Sequence, residues 1–89
     1  MKKVYKYEMR ILGVVTHQMP LGAKLLHVGM QDGHPVLWAS VDTEEFQTEA
    51  RTFQTIGTGN DEVEDAQVYV GSAVSSPIAF VWHVFEVVF

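Results

Sequence analysis

The chain contains no cysteine, which removes disulfides, thiolate metal ligands and thiol nucleophiles together. It is also poor in positive charge, with six Lys and Arg against eleven Asp and Glu, a formal charge of -5. That balance opposes binding to duplex nucleic acid, whose affinity comes largely from cationic contacts with phosphates. A small anionic ligand stays admissible, because one pocket can be locally positive. No apolar run reaches the roughly 18 residues of a membrane span. The most apolar segment, Ile78 to Phe89, is too short and is interrupted by His83 and Glu86. Met1-Lys2-Lys3 is basic, but no apolar signal-peptide core follows it, so a cytosolic location is expected. No stretch carries a helical apolar period. Missing too are a GxSxG elbow, a phosphate loop ending in Gly-Lys-Ser/Thr, an HExxH helix and a Cys-His cluster. His17, His27, His34 and His83 show no metal-ligand spacing. The expectation is therefore a protein without catalysis, metal or cofactor.

What is present is apolar and alternating. At 47% hydrophobic and 11% aromatic, the chain is too apolar for disorder and folds as a single domain, 1–89. A domain this small gains stability by oligomerising, so a homo-oligomer is expected. Asp32-Gly33 is a hairpin dipeptide suited to positive φ at both central residues. With those two as the loop, Gln31 faces His34, Val28 faces Leu37, His27 faces Trp38 and Leu26 faces Ala39. One face of the ribbon then collects Leu26, Val28, Met30, Leu37, Ala39 and Val41. The other collects Leu25, His27, Gly29, Trp38 and Ser40, an aromatic beside a histidine with a glycine that leaves room above the backbone.

Lys3 to Ile11 alternates, with Tyr5, Tyr7, Met9 and Ile11 on one face. Val14 to Met19, Arg51 to Ile56, Gln67 to Val74 and Ile78 to Phe89 read as further strands. The last is apolar on both faces, which places it centrally or under a second subunit. Thr43 to Ala50 is a polar connector with room for one helical turn capped by Asp42 or Thr43. Pro35 marks a sheet edge or a bulge. The expected fold is all-β, a small antiparallel barrel or sandwich of about six strands built from hairpins.

Candidate ligand contacts follow from chemistry. Trp38 offers a stacking surface and His27 a polar edge. Gly57-Thr58-Gly59-Asn60 offers inward amides and a hydroxyl for an anion, or simply a turn that needs positive φ. Arg51 offers a two-point fork for phosphate, or a surface ion pair with Glu44, Glu45 or Glu49. Phe53 shares the strand face of Arg51. His83, between Val81 and Phe85 on its face, is either a buried histidine with one hydrogen bond or a ligand reader. Trp82 could also stack on a base but, amid an apolar strand, reads first as a core anchor. Asp61 to Asp65 is an acidic surface loop.

Five segments together carry a resemblance: Lys2-Lys3-Val4-Tyr5-Lys6-Tyr7; Met19-Pro20-x-Gly22-Ala23-Lys24-x-Leu26; Leu37-Trp38-Ala39-x-Val41-Asp42; Arg51-x-Phe53-x-x-x-Gly57-Thr58-Gly59; and Val81-Trp82-His83-Val84-Phe85-Glu86. This pattern resembles a family of small proteins of unknown function encoded mainly by tailed bacteriophages and prophages. The resemblance implies a viral origin and action in the bacterial host cytoplasm, and implies no activity. By analogy with phage sponge proteins, the expected function is sequestration of a small anionic, nucleotide-like host immune signal by a homo-oligomer. The alternatives are an acidic protein–protein inhibitor of a host defence enzyme, a minor virion or assembly protein, and an enzyme using His27 or His83 as base.

Overall fold

The computed structural model describes residues 1–60, 63–64, 67–75 and 80–88. These form seven strands: β1 (Lys2–Glu8), β2 (Gly13–Pro20), β3 (Lys24–Gln31), β4 (His34–Asp42), β5 (Thr48–Gly57), β6 (Gln67–Ser75) and β7 (Phe80–Val87). All pairings are antiparallel. They make two sheets, one of order β1-β4-β3 and one of order β2-β5-β7-β6. The fold is an all-β sandwich and not a closed barrel. No helix occurs among the described residues. The Cα envelope is only 15 Å across its short axis, which fits two sheets about 10 Å apart around one layer of side chains. Asp61, Glu62 and Asp65 of the expected acidic loop, the Ser76-Pro77 break, and Ile78, Ala79 and Phe89 of the final segment lie outside the described residues.

The β3–β4 hairpin turns where its sequence says it should. Asp32 and Gly33 have φ of 51° and 80°, the left-handed values of a type I′ turn. The register runs as expected from Gln31↔His34 through Val28↔Leu37 to His27↔Trp38. One residue further it slips, because Leu26 forms a bulge and Leu25 takes the place opposite Ala39. The bulge reverses the expected faces of the strand start: Leu25 packs on the core, and Leu26 is exposed. Pro35 sits beyond the end of β1 pairing, where it needs no donor, and its carbonyl accepts from Met9 N at 3.0 Å. Tyr7 and Met9 are shielded as the alternation expects, but Tyr5 on the same face is exposed, the strand ends at Glu8 and Ile11 is exposed. The connector to β5 makes no helical turn. Asp42 Oδ1 accepts from Glu44 N at 3.0 Å and the Asp42 carbonyl accepts from Glu45 N, a tight turn followed by a short irregular stretch before β5.

Met19, Val28, Leu37, Val41, Phe53 and Val84 are fully buried and form the centre of the core. Strand β7 lies between β5 and β6, the central position that its two apolar faces predict. At one side the sheets meet through Tyr7 and His17, whose rings stand 5.3 Å apart. His17 Nε2 reaches the Glu8 carbonyl at 2.6 Å; since a carbonyl only accepts, this nitrogen carries the proton. At the other side β3 and β6 approach so closely that a Cβ on Gly71 would stand 3.0 Å from Val28 Cβ.

Candidate functional site at the end of the β5–β7 seam

Two of the segments that carry the resemblance, Arg51 to Gly59 and Val81 to Glu86, are partners in space. Strands β5 and β7 pair Phe53 with Glu86 and Gly57 with Trp82. The seam has a polar link at each end, and the two links differ in kind.

At the first end Arg51 donates from Nε and Nη2 to both carboxylate oxygens of Glu86, at 2.7 and 2.8 Å, and from Nη1 to the Ala23 carbonyl at 2.7 Å. Both side chains are largely buried. The hydrogen bonds that Arg51 donates to Glu86, and then the charge of that carboxylate, raise the Arg51 pKa above its ordinary value. This corrects both expectations for Arg51. Its fork is spent inside the protein, so it neither holds phosphate nor pairs with Glu44, Glu45 or Glu49 on the surface. Phe53 lies between the sheets with no exposed surface, which removes it from the expected ligand contacts.

At the second end the turn Gly57 to Asn60 closes with Asn60 N donating to the Gly57 carbonyl at 3.1 Å. Its two glycines have different duties. Gly59, at φ 78°, supplies the left-handed residue that the turn needs. Gly57 supplies space: a Cβ there would stand 2.8 Å from Asn60 Nδ2 and 3.3 Å from the Trp82 ring. Both groups therefore close over bare backbone. A cavity of about 450 Å³ opens here, lined by Gly57, Thr58, Asn60, Phe80, Val81 and Trp82. That volume is within the range of small-molecule sites. The Phe80 and Trp82 rings, 5.8 Å apart and tilted by 42°, form its apolar wall. Trp82 is thus a half-buried wall of the cavity and not a fully buried core anchor.

Behind the turn, on the outer face of the sheet, His83 is held from both sides. Its Nε2 shares a 2.8 Å hydrogen bond with Thr58 Oγ1 and its Nδ1 a 2.8 Å hydrogen bond with Ser72 Oγ. Ser72 Oγ in turn meets the Tyr69 hydroxyl at 2.8 Å. Every partner is a hydroxyl, able to donate or accept, so either neutral tautomer satisfies the chain. Of the nine residues expected at one site, the structure brings together Gly57, Thr58, Gly59, Asn60 and His83. Trp38 and His27 do stack, with centroids 5.9 Å apart and ring planes at 21°, but they lie on the other sheet. The room expected above Gly29 is filled by those same two rings.

Phe80, Ser72 and Tyr69 were not legible as site residues. A bulge at Val70 puts Tyr69 and Ser72 on one face although they are three apart, a spacing that strict alternation excludes. The described residues contain no His/Asp/Glu cluster able to hold a metal, and no lysine or arginine lines the cavity. What the cavity presents is two aromatic rings, one hydroxyl and one carboxamide, a lining suited to a planar, polar-edged molecule. Comparison with known proteins found no match among curated proteins or solved structures. One family model does match, across residues 1–88, and the chain belongs to that family, a domain of unknown function (DUF7352).

Proposed function

We propose that the protein is a binding module that holds a small planar ligand of nucleotide type at the end of the β5–β7 seam, without chemistry. The observation that carries this reading is the joining of an aromatic wall, Trp82 and Phe80, to a hydrogen-bonding turn, Thr58 and Asn60, around one cavity. The base stacks on Trp82 and its edge meets the Thr58 hydroxyl and the Asn60 carboxamide. His83 fixes the Thr58 hydroxyl from behind. Any phosphate faces the turn and the solvent, since the Asn60 amide is spent on Gly57 and Arg51 on Glu86. A homo-oligomer belongs to the same reading: β6 is an edge strand that exposes Val68, Tyr69 and Val74, a surface suited to a second copy. In a phage protein within the bacterial cytoplasm, such binding amounts to sequestering a nucleotide immune signal of the host.

The test is native mass spectrometry of protein purified from bacteria, followed by titration with nucleosides and cyclic nucleotides, read by Trp82 fluorescence in a Trp38→Phe background. Saturable quenching that weakens about tenfold in Thr58→Val, the size of one lost hydrogen bond near 1.4 kcal/mol, supports the reading. Quenching indifferent to Thr58 and Asn60 defeats it. The Thr58–His83 pair favours a second reading, a hydrolase with Thr58 as nucleophile and His83 as base. Recovery of the ligand chemically changed decides for that one.

A further inference from the structure

A second surface, on the opposite sheet, goes beyond this reading. The protein has few cations, and their placement is uneven. Lys2, Lys3, Lys6 and Lys24 all lie on β1 and β3, in the three-stranded sheet. Arg51 is consumed by Glu86, whereas among the described residues no lysine forms an ion pair. Residues directly paired across strands share a face, so the register arranges these charges. Lys6 and His27 both pair with Trp38, from opposite sides. In the next row Val4 and Lys24 both pair with Ser40, and Lys2 pairs with Asp42 beyond it. Lys6, Trp38, His27, Lys24 and Lys2 therefore lie on the outer face of one sheet.

Two carboxylates share this face, Glu8 in the row beyond Lys6 and Asp42 opposite Lys2. Asp42 accepts from the Met1 ammonium at 3.4 Å and from the Glu44 amide. Lys6 Nζ donates to the neutral Gln31 Oε1 at 2.7 Å, which steadies the ammonium without cancelling its charge. The two rings are steadied too. A Cβ on Gly29 would stand 3.1 Å from the Trp38 ring and 3.4 Å from His27 Nε2, so both rings close over a glycine. The result is a near-parallel aromatic pair with Lys6 and Lys24 beside it, while the two carboxylates of the face lie at the ends of the row, on an otherwise acidic molecule.

We propose that this face binds single-stranded nucleic acid. Unpaired bases stack on Trp38 and His27, and the phosphates on either side reach Lys6, Lys24 and Lys2. Stacking on an aromatic requires an exposed base face, which a single strand offers and a duplex withholds. The excess acid elsewhere on the chain opposes duplex binding as before.

Fluorescence anisotropy with an end-labelled thymidylate dodecamer tests this, alongside the same sequence as a duplex. Binding at low salt is expected to weaken with added salt at a log–log slope of about -2, three phosphate contacts at about 0.7 each. Lys6→Ala/Lys24→Ala is expected to weaken binding about tenfold or more. Lys3→Ala removes a charge from the same strand but with the opposite side-chain parity, and is expected to change binding less than about twofold if the face is specific. Trp38→Phe, with its melting curve checked, is expected to weaken binding and retain the salt slope. Equal losses in the Lys3 and Lys6/Lys24 variants overturn the proposal, because charge alone then explains them. Equal affinity for the duplex overturns it as well, as does the absence of binding at low salt.

Discussion

The two ends of the β5–β7 seam invite comparison because the same pair of strands builds both, from two polar links of opposite character. The Arg51–Glu86 end is closed. Three donors of the guanidinium meet three acceptors, and little of either side chain is left for solvent. The Thr58–His83 end is open. Its hydroxyl chain is satisfied in either direction, and it borders a cavity walled by aromatics. A polar group whose capacity is exhausted inside the fold stabilises the fold. One with capacity to spare beside an empty volume is placed to recognise something. A lone arginine on a strand leading to a glycine-rich turn suggests an anion site, yet here the arginine is structural and the turn borders the cavity.

The largest effect expected from breaking this contrast is at the closed end. Arg51→Ala leaves the Glu86 carboxylate and the Ala23 carbonyl without their donor in a mostly dry setting. Loss of about 3 kcal/mol is expected, the scale of removing one partner of a buried pair. For a domain of this size that corresponds to a fall in Tm on the order of 15 °C. An apolar double replacement, Arg51→Met/Glu86→Leu, is expected to recover much of that stability, because no unpaired charge remains. Ligand titrations on either variant, kept below its Tm, are expected to match the wild type. Reduced affinity in a folded Arg51→Met/Glu86→Leu variant breaks the division between a structural end and a recognising end.

Two glycines sharpen the comparison at a smaller scale. Gly71 and Gly57 each leave room for a neighbour, but the neighbours differ. At Gly71 a methyl group meets Val28 Cβ and Cγ2, both at 3.0 Å, atoms rooted on the facing sheet that cannot swing away. Gly71→Ala is expected to cost about 1–3 kcal/mol, as overpacking does. At Gly57 the nearest atom is the Asn60 carboxamide, the end of a side chain that can turn aside. Gly57→Ala is expected to change stability by less than about 1 kcal/mol, within the usual span of minor substitutions. It is nonetheless expected to abolish ligand binding by displacing Asn60 and Trp82 into the cavity. Thermal melts and titrations on the two variants separate these outcomes, and a reversed pattern places the recognition surface at the β3–β6 edge instead.

Much of the fold was legible because antiparallel sheets write their register locally. Asp32-Gly33 fixed its hairpin as far as the His27↔Trp38 pair, and the apolar faces of the last segment placed β7 in the middle of its sheet. Reading failed at the bulges. Leu26 in β3 and Val70 in β6 each insert one residue, and beyond an inserted residue every side chain changes face. Both bulged strands are sheet edges, and they meet where Gly71 admits Val28. The candidate site was half legible for a different reason. The turn from Gly57 to Asn60 is local, so its residues were named together. Glu86 lies 35 residues from Arg51 and Ser72 lies 11 from His83, and no short-range pattern announces either partner.

The smallest expected effect concerns a carboxylate unlike that of Glu86, one held in the open. Asp42 has its pKa lowered, first by the Glu44 amide it accepts from, then by the hydrogen bond and charge of the Met1 ammonium, with a further contribution from Lys2. A carboxylate with a depressed folded pKa stabilises the fold above its unfolded pKa. That contribution fades as pH falls through the folded value. The stability gap between the wild type and Asp42→Asn should therefore be constant at neutral pH. It should close as the solution is taken from about pH 5 to about pH 2, the window of a shifted aspartate. Denaturant melts across that range measure it. A gap that persists in acid assigns the role of Asp42 to turn geometry, which asparagine would then fail to reproduce. A gap that closes shows that charge pins the N-terminal strand to the β4 turn and that this contribution is lost in acid.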